Sequence, residues 1–407
     1  MTDIAIAGQL RRRIGPTAVA PALDRAGAGE VLVGAAPFSE LRDDWLSLAE
    51  LQPGPVLYQL PDLLAAWARH FGNANRLPAT VVVRRSGRPV LIWPLVMERR
   101  GPLRVARGAG TPIGQYDDAL LEPGTEPHDI AARALDAVTR DIGPDLIVLE
   151  RVRADSALKA MLGGLPPLAL PEGAPYSDTS GGTAALMAGL KPRVVRQQKK
   201  RVRRFEEEGR VDFAVARNAD EAQSWLAAAM AIKRDWLRST GRLSRAFVRP
   251  ETANCLADLA KMLAHAGAEP RMVISKLSLD GRTAAIEMGF VHRGTYHLYL
   301  GAFAPELAKF GPGNILTERV LDWCAENGIA RYDMMAPRSR NKSEWQSGEV
   351  LVADYALPLT LAGRVYASMV LGRIEPALRN AFYALPTPIR SAISGRTLRN
   401  INRGPVS

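Results

Sequence analysis

Three consecutive segments decide the fold: RTAAIEMGFVHRGTYHLYLGAF (282–303), APELAKFGPGNILTERVLDWCAENG (304–328) and IARYDMMAPRSRNKSEW (329–345). The first holds two runs rich in β-branched and aromatic residues, Thr283 to Val291 and Tyr296 to Phe303. They are joined by His292-Arg293-Gly294-Thr295, which reads as a β-hairpin. The second starts with a glycine loop and continues as a helix. Leu316, Val320, Trp323 and Cys324 fall at i, i+4, i+7 and i+8 on one apolar face, and Gly328 stands where a left-handed C′ residue belongs. The third begins with a short strand, Ala330 to Met335, and ends in a polar loop bearing Lys342 and Trp345. A glycine loop that feeds a helix N-terminus aims backbone N–H groups at an anion.

Outward from this core, the preceding stretch supplies two more strands, Met272 to Leu279 and Val211 to Val215, and two helices, Ala219 to Ser239 and Glu251 to Ala266. The first half has the same order. Strands at Ala79 to Arg84 and Pro89 to Met97 flank Ser86-Gly87, as Met272 to Leu279 and Thr283 to Val291 flank Asp280-Gly281. Strand candidates follow at Leu103 to Arg107 and Ala119 to Leu121, then a helix from Pro127 to Ile142 and a strand from Leu146 to Arg151. Before them come a strand at Val31 to Gly34 and helices at Phe38 to Leu51 and Leu60 to Phe71. The expectation is an α/β protein with α+β mixed sheets, built as two similar units in tandem. Its expected parts are a flexible leader (1–29), a first domain (30–164), a Pro/Gly-rich linker (165–190), a second domain (191–358) and a basic helical tail (359–407).

The chain has 407 residues, enough for two or three domains, and a formal charge of +11. A balance this basic fits polyanionic partners: a phosphate-rich cofactor, nucleic acid or an anionic membrane surface. It equally fits a coding bias toward arginine. The two cysteines, Cys255 and Cys324, lie in apolar helical patterns and read as buried thiols; no metal site is expected. The first fifteen residues lack the apolar region of a signal peptide, and no apolar run is long enough to span a bilayer. The expected compartment is the cytoplasm.

Several residues are candidates for chemistry. Glu287 stands among apolar neighbours in mid-strand. It is either a partly buried general base with a raised pKa or a residue on a solvent face. Asp333 either contacts substrate or pairs with Lys342 or Arg338. Tyr296 and Tyr299 face opposite sides of their strand, so one of them is placed to protonate a leaving group. Gly311 and Gly313 with Asn314 form the anion loop, and Lys309 adds charge beside Phe310. Tyr116-Asp117-Asp118 either lines a cleft or caps a loop, and Lys342 and Trp345 either line an acceptor pocket or pack. The helix Lys191 to Gly209 gathers eight basic residues, followed by Arg210, without interleaved aromatics, which argues for a cofactor's phosphates, an anionic glycan or solvent over nucleic acid. The tail places Leu361, Val365, Met369 and Leu371 among arginines, so it either lies on an anionic membrane or packs on the second domain.

The order of strand, hairpin strand, glycine loop, helix and strand resembles the core of the GNAT acyltransferases. Phe310-Gly311-Pro312-Gly313, Arg331-Tyr332-Asp333, Lys342-Ser343-Glu344-Trp345, Trp45, the PVLIWPLVMER strand, Tyr116-Asp117 and the RQQKKRVRRFEEEG helix are together similar to one branch. That branch is the CelD/BcsL-like acetyltransferases of cellulose and exopolysaccharide biosynthesis, whose tandem-GNAT architecture is akin to FemAB peptidyltransferases. The likeness spans about Val31 to Leu357. It implies two tandem GNAT-like domains, with acetyl-CoA as acyl donor held at Lys309, Phe310, Gly311, Gly313 and Asn314. The implied acceptor is a saccharide or sugar-amine met by Tyr116, Asp117, Lys342 and Trp345, with Glu287, Tyr299 and Asp333 in catalysis. It further implies work beside polysaccharide-synthesis machinery at the inner membrane surface. Pro312 departs from the general loop pattern by removing one backbone donor. Two other readings stay open: a FemAB-like peptidyltransferase that uses aminoacyl-tRNA, and a non-catalytic scaffold. Acceptor identity and oligomeric state are left open.

Overall fold

The computed structural model describes residues 29–401 apart from 245 and 248. Apart from Gly29, the expected leader lies outside the described residues. The strands are β1 (Gly29–Val33), β2 (Arg76–Arg85), β3 (Arg88–Arg100), β4 (Leu103–Gly108), β5 (Leu120–Leu121), β6 (Leu146–Arg153), β7 (Glu172–Asp178), β8 (Val211–Val215), β9 (Arg271–Leu279), β10 (Arg282–His292), β11 (Thr295–Phe303), β12 (Arg331–Asp333) and β13 (Gly348–Pro358). They form one mixed sheet in the order β1-β2-β3-β4-β6-β13-β7-β12-β11-β10-β9-β8, with β5 paired to β3.

The tandem pattern is explicit in this order. In each half a meander of antiparallel strands leads through a helix to a strand that returns parallel to the last one. The first half uses the helix Pro127–Asp141 to bring β6 beside β4, and the second uses Pro312–Glu326 to bring β12 beside β11. Antiparallel neighbours need only a tight turn, whereas a parallel neighbour needs a crossover. The β2–β3 and β9–β10 turns are matched two-residue loops. Ser86 and Gly87 have φ of 51° and 80°, and Asp280 and Gly281 have 47° and 76°. Two successive positive-φ residues suit the twist of a hairpin.

Where a linker was expected between the two units, the halves share one sheet. Glu172–Asp178, inside the expected linker, is strand β7, and Gly182–Gly189 is a helix. Strand β13 then inserts between β6 and β7, pairing antiparallel with both, while β7 pairs antiparallel with β12. The reason lies in unpaired edges. Parallel return leaves β6 and β12 each with one open side, and an exposed row of N–H and C=O groups recruits further strands. The helix expected over Phe38 to Leu51 is broken at Leu41 into Pro37–Glu40 and Arg42–Glu50.

The seam between halves also carries a buried ionic knot. The Arg153 guanidinium, 2% exposed, donates from Nη1 to Asp333 Oδ2 at 3.1 Å, and from Nε and Nη2 to both Asp155 oxygens at 2.9 Å. Asp333, 1% exposed, also accepts from the Tyr116 hydroxyl at 3.3 Å and the Met335 N–H at 2.8 Å. Above the knot, an apolar layer of Trp45, Trp67, Tyr116, Phe290 and Leu300 joins helices of the first half to strands of the second.

The tail is helical from Leu361 to Ala384, π-helical over Tyr366–Ile374, and its helix resumes at Thr387–Ile401. The helix stops at Ala384 ahead of Pro386, and Pro388 sits in the first turn of the next one, where its missing N–H costs nothing. Leu361, Val365, Met369, Ile374, Tyr383, Ile389 and Ile393 are exposed along it. Among the described residues no helix is long and apolar enough to cross a membrane.

Removing one partner of the knot leaves a buried charge uncompensated. Arg153→Met should therefore destabilise the fold by about 3–5 kcal/mol, read as a lower denaturation midpoint. Arg153→Met/Asp333→Asn should recover much of that loss. A single variant as stable as wild type would contradict the knot's role at the seam.

Candidate active site

Strands β11 and β12 are parallel partners over three residues only, Thr295↔Arg331, Tyr296↔Tyr332 and His297↔Asp333. Beyond them the strands part. The cause is a bulge in β11: Met288 of β10 faces Leu300 while Gly289 faces Leu298, so Tyr299 is the extra residue. A bulge bends its strand and increases its twist. The gap so opened leads into a cavity of about 680 Å³, which Leu298, Gly301, Ala302 and Phe303 of β11 line along one wall.

Glu287 lies at the floor. It is 4% exposed, and its Oε1 accepts from the Tyr332 hydroxyl at 2.8 Å. Burial raises its pKa to about 7, while the hydroxyls of Tyr332, Tyr296 and Thr317 restrain the rise. The Tyr296 ring stacks on Tyr332 at 5.0 Å. Gly289, on the same face of β10, leaves room for Tyr296, because a Cβ there would come within 2.4 Å of its ring. The carboxyl is therefore wedged beneath the helix Pro312–Glu326, neutral below neutrality and charged above it.

The glycine loop closes one end. After the 3₁₀ turn Pro305–Phe310, Gly311 takes the left-handed conformation (φ 66°) and the helix starts at Pro312. Pro312 has no N–H, so Gly313 offers the first donor of the helix. A Cβ on Gly313 would meet nothing nearer than Phe303 at 3.8 Å and would project into the cavity. Arg201, from the basic helix Pro192–Glu206, lies over Gly311. It is positioned by its Nη1 hydrogen bond to Gln198 (2.8 Å) and an ion pair with Glu344 (3.6 Å). Lys309 completes a cationic end built around a helix N-terminus.

Two amines also line the cavity. Lys342 Nζ donates to the carbonyls of Met335 (2.8 Å) and Pro337 (3.0 Å), and burial lowers its pKa to about 8. Lys233 Nζ reaches the Gly301 carbonyl at 3.3 Å and lies 4.7 Å from the Trp236 ring; burial lowers its pKa too. Trp345 is 2% exposed and its indole N–H donates to Asn314 Oδ1 at 3.4 Å, so it lines the cavity as a fixed wall.

Of the residues singled out from the sequence, the structure brings Glu287, Lys309, Gly311, Gly313, Asn314, Lys342 and Trp345 to this one cavity. It keeps others away. Tyr299 points to the opposite side of the sheet, packed on Phe247 and Phe290, with its hydroxyl donating to Pro112 O at 3.3 Å. Asp333 is held in the ionic knot with Arg153, not by Lys342 or Arg338. Phe310 is an anchor against Phe205, 5.9 Å away. Tyr116 is spent on Asp333. Asp117 is buried, accepting from the Glu150 N–H at 2.7 Å while its own N–H donates to Glu150 O at 3.1 Å. Arg201, Gln197, Lys233, Trp236 and Thr317 line the cavity without having been singled out for it. The charge of Arg201 was visible in the basic helix; nothing local told that it would meet Gly311.

Residues 192–345 match the family model of the acetyltransferase (GNAT) domain. The chain carries a GNAT acetyltransferase domain. It is an acyltransferase of the GNAT type, and domains of this type use acyl-CoA. No curated protein matches the chain. Among solved structures, the crystal structure of FemX is similar at 13% identity, covering 80% of this chain and 97% of that one, with a TM-score of 0.55. A tandem GNAT protein from the clavulanic acid biosynthesis pathway is similar at 15% identity, covering 81% and 98%, with a TM-score of 0.48. The FemX likeness supports the fold.

The two ionisable groups predict a pH profile. A base at Glu287 requires pH above about 7, and an acid at Lys342 requires pH below about 8. Plots of kcat/KM against pH should be bell-shaped with limbs near these values. Tyr332→Phe removes a hydrogen bond that favours the carboxylate and should move the lower limb upward. A limb that stays in place in that variant would remove Glu287 from the rate profile.

Proposed function

We propose that the cavity holds an acyl-CoA, with acetyl as the acyl group, and transfers it to an amine or hydroxyl of a saccharide. One arrangement carries the reading: a buried carboxyl with its pKa near 7 at the floor of a gap between parted strands, closed by a glycine loop with Arg201 and Lys309. Pyrophosphate suits the loop because Gly313 presents N–H without a side chain. The free edge of β11 offers backbone groups to an extended pantetheine arm and to the thioester carbonyl. The acceptor nitrogen or oxygen attacks that carbonyl while its proton passes to Glu287, directly or through one water. The C–S bond then breaks, and the departing thiolate takes a proton from the Lys342 ammonium. This replaces Tyr299, which faces away.

The resemblance to CelD/BcsL-like proteins suggests an exopolysaccharide acceptor, and the indole of Trp236 at the cavity wall suits a sugar ring. One observation favours a second reading, an aminoacyl-tRNA donor: Lys199, Lys200, Arg203 and Arg204 are exposed along one helix. No aromatic row accompanies them for unpaired bases. Gly313→Val should abolish CoA binding in a folded protein. Glu287→Gln should lower kcat by about 10²-fold or more with CoA affinity retained. Unchanged CoA affinity in Gly313→Val would refute the donor site. Aminoacyl transfer from charged tRNA, lost when the four basic residues become Gln, would favour the second reading.

The tail supports a place for the enzyme. Its exposed apolar residues alternate with Arg364 and Arg373 against a single acid, Glu375, which disfavours self-association and suits an anionic lipid surface. We expect co-sedimentation with phosphatidylglycerol vesicles and not with phosphatidylcholine vesicles, lost in Leu361→Asp/Met369→Asp. Equal recovery with both vesicle types would argue against it.

A further inference from the structure

A second cleft, of about 670 Å³, lies where the first half meets the tail. Its walls come from β3, β4, the loop at Thr111 and Pro112, the approach to the helix Pro250–Leu263, and the tail helices around Tyr366 to Arg379. Six arginines converge on it. Three are matched by acids: Arg76 and Arg100 share Glu98 at 2.8 and 2.9 Å, and Arg107 pairs with Glu150. Arg99, Arg249 and Arg379 have no ion pair among the described residues and are exposed to the cleft, whose lining also includes the carboxylates of Asp354 and Glu375. Arg249 and Arg107 both bear on the half-buried Arg76, adding to burial in disfavouring its charge. Like charges held together by separate elements repel, and a bound anion relieves the repulsion. Guanidinium forks also match the planar oxygens of carboxylate and phosphate better than ammonium groups do.

The cleft is electrostatically joined to the transfer cavity. Glu172 feels both Arg379, on the cleft wall, and Lys342, on the cavity wall. Lys342 in turn feels Arg151 and Lys233. Pro112, which lines the cleft, accepts the Tyr299 hydrogen bond from the bulge that opens the cavity. Glu172 therefore lies within electrostatic reach of both walls.

We propose that this cleft recognises the acceptor and that the acceptor is an acidic saccharide, whose carboxylate or phosphate is held by Arg99, Arg249 and Arg379. This rests on the acyl-transfer reading and narrows its acceptor from saccharides in general to anionic ones. The tail thereby forms one wall of the acceptor site.

The test is calorimetric titration of the full chain with trigalacturonate, glucose 1-phosphate and maltotriose. Trigalacturonate or glucose 1-phosphate should bind, according to whether carboxylate or phosphate is the group recognised, and maltotriose should not. Arg249→Gln/Arg379→Gln should weaken that binding about tenfold or more and leave CoA affinity unchanged, which also reports that the variant is folded. Arg201→Gln, at the other end of the cavity, should weaken CoA and not the saccharide. Maltotriose bound as well as trigalacturonate, no binding of either anion, or binding lost only in Arg201→Gln would each overturn the proposal. Acidic saccharide bound without any CoA binding would instead leave this site standing and remove the donor.

Discussion

The extra residue in β11 is the constraint from which the rest follows. A regular β11 would continue pairing with a returning parallel strand, and the sheet would be closed at its centre. Because Tyr299 and Leu300 both pack toward the first half, the strand turns its edge away after His297. The parted edge then faces a cavity, and Glu287, one strand further in, becomes a buried group beside it. Burial without a cationic partner raises its pKa toward neutrality. An ion pair there would have made a stable carboxylate and a weak base. The hydroxyl of Tyr332 is a compromise: it hydrogen-bonds the carboxyl without neutralising it.

The first half shows what happens to the same topology without a cavity. Strands β4 and β6 are also parallel over three residues, Val105↔Leu146 to Arg107↔Val148. Beyond that point the backbone of Asp117 pairs with Glu150, and its carboxylate accepts the Glu150 N–H. Gly108 makes this possible, since a Cβ there would lie 2.1 Å from the Asp117 carboxyl. The segment Tyr116-Asp117-Asp118 is thus a plug in the position where the second half is open. The polar groups that look like a binding motif are consumed in satisfying a buried strand edge.

This difference marks how far the sequence could be read. The β9 to β12 unit was legible because its signals are local: paired turn residues, a glycine before an apolar helical stripe, a glycine after it. Glu287 was legible as an anomaly, but the side it faces was not, since both faces of β10 are covered. Strands β7 and β13 were missed for a different reason. Glu172–Asp178 contains Gly173 and Pro175 and lacks alternation, and its partners lie more than 150 residues away. Such a strand forms because two open edges require it, not because its own residues prefer it. Asp333 and Tyr116 were recognised as notable, yet their bond to each other across 217 positions assigns them to the seam.

The positive charge of the chain resolves into distinct surfaces once the fold is known. Arg201 is fixed by Gln198 and Glu344 over the glycine loop, and a charge held in place loses little entropy when an anion arrives. Lys199, Lys200 and Arg203, on the same helix, extend into solvent, where screening leaves them weak. The arginines of the second cleft stand between these extremes: partly matched by acids, crowded by one another, and facing a volume large enough for a sugar chain. The tail arginines flank exposed apolar residues instead. A net charge of +11 is compatible with all four arrangements, and only the neighbours of each cation distinguish a charge fixed over a glycine loop from arginines crowded in a cleft, arginines flanking apolar residues or a solvated helix.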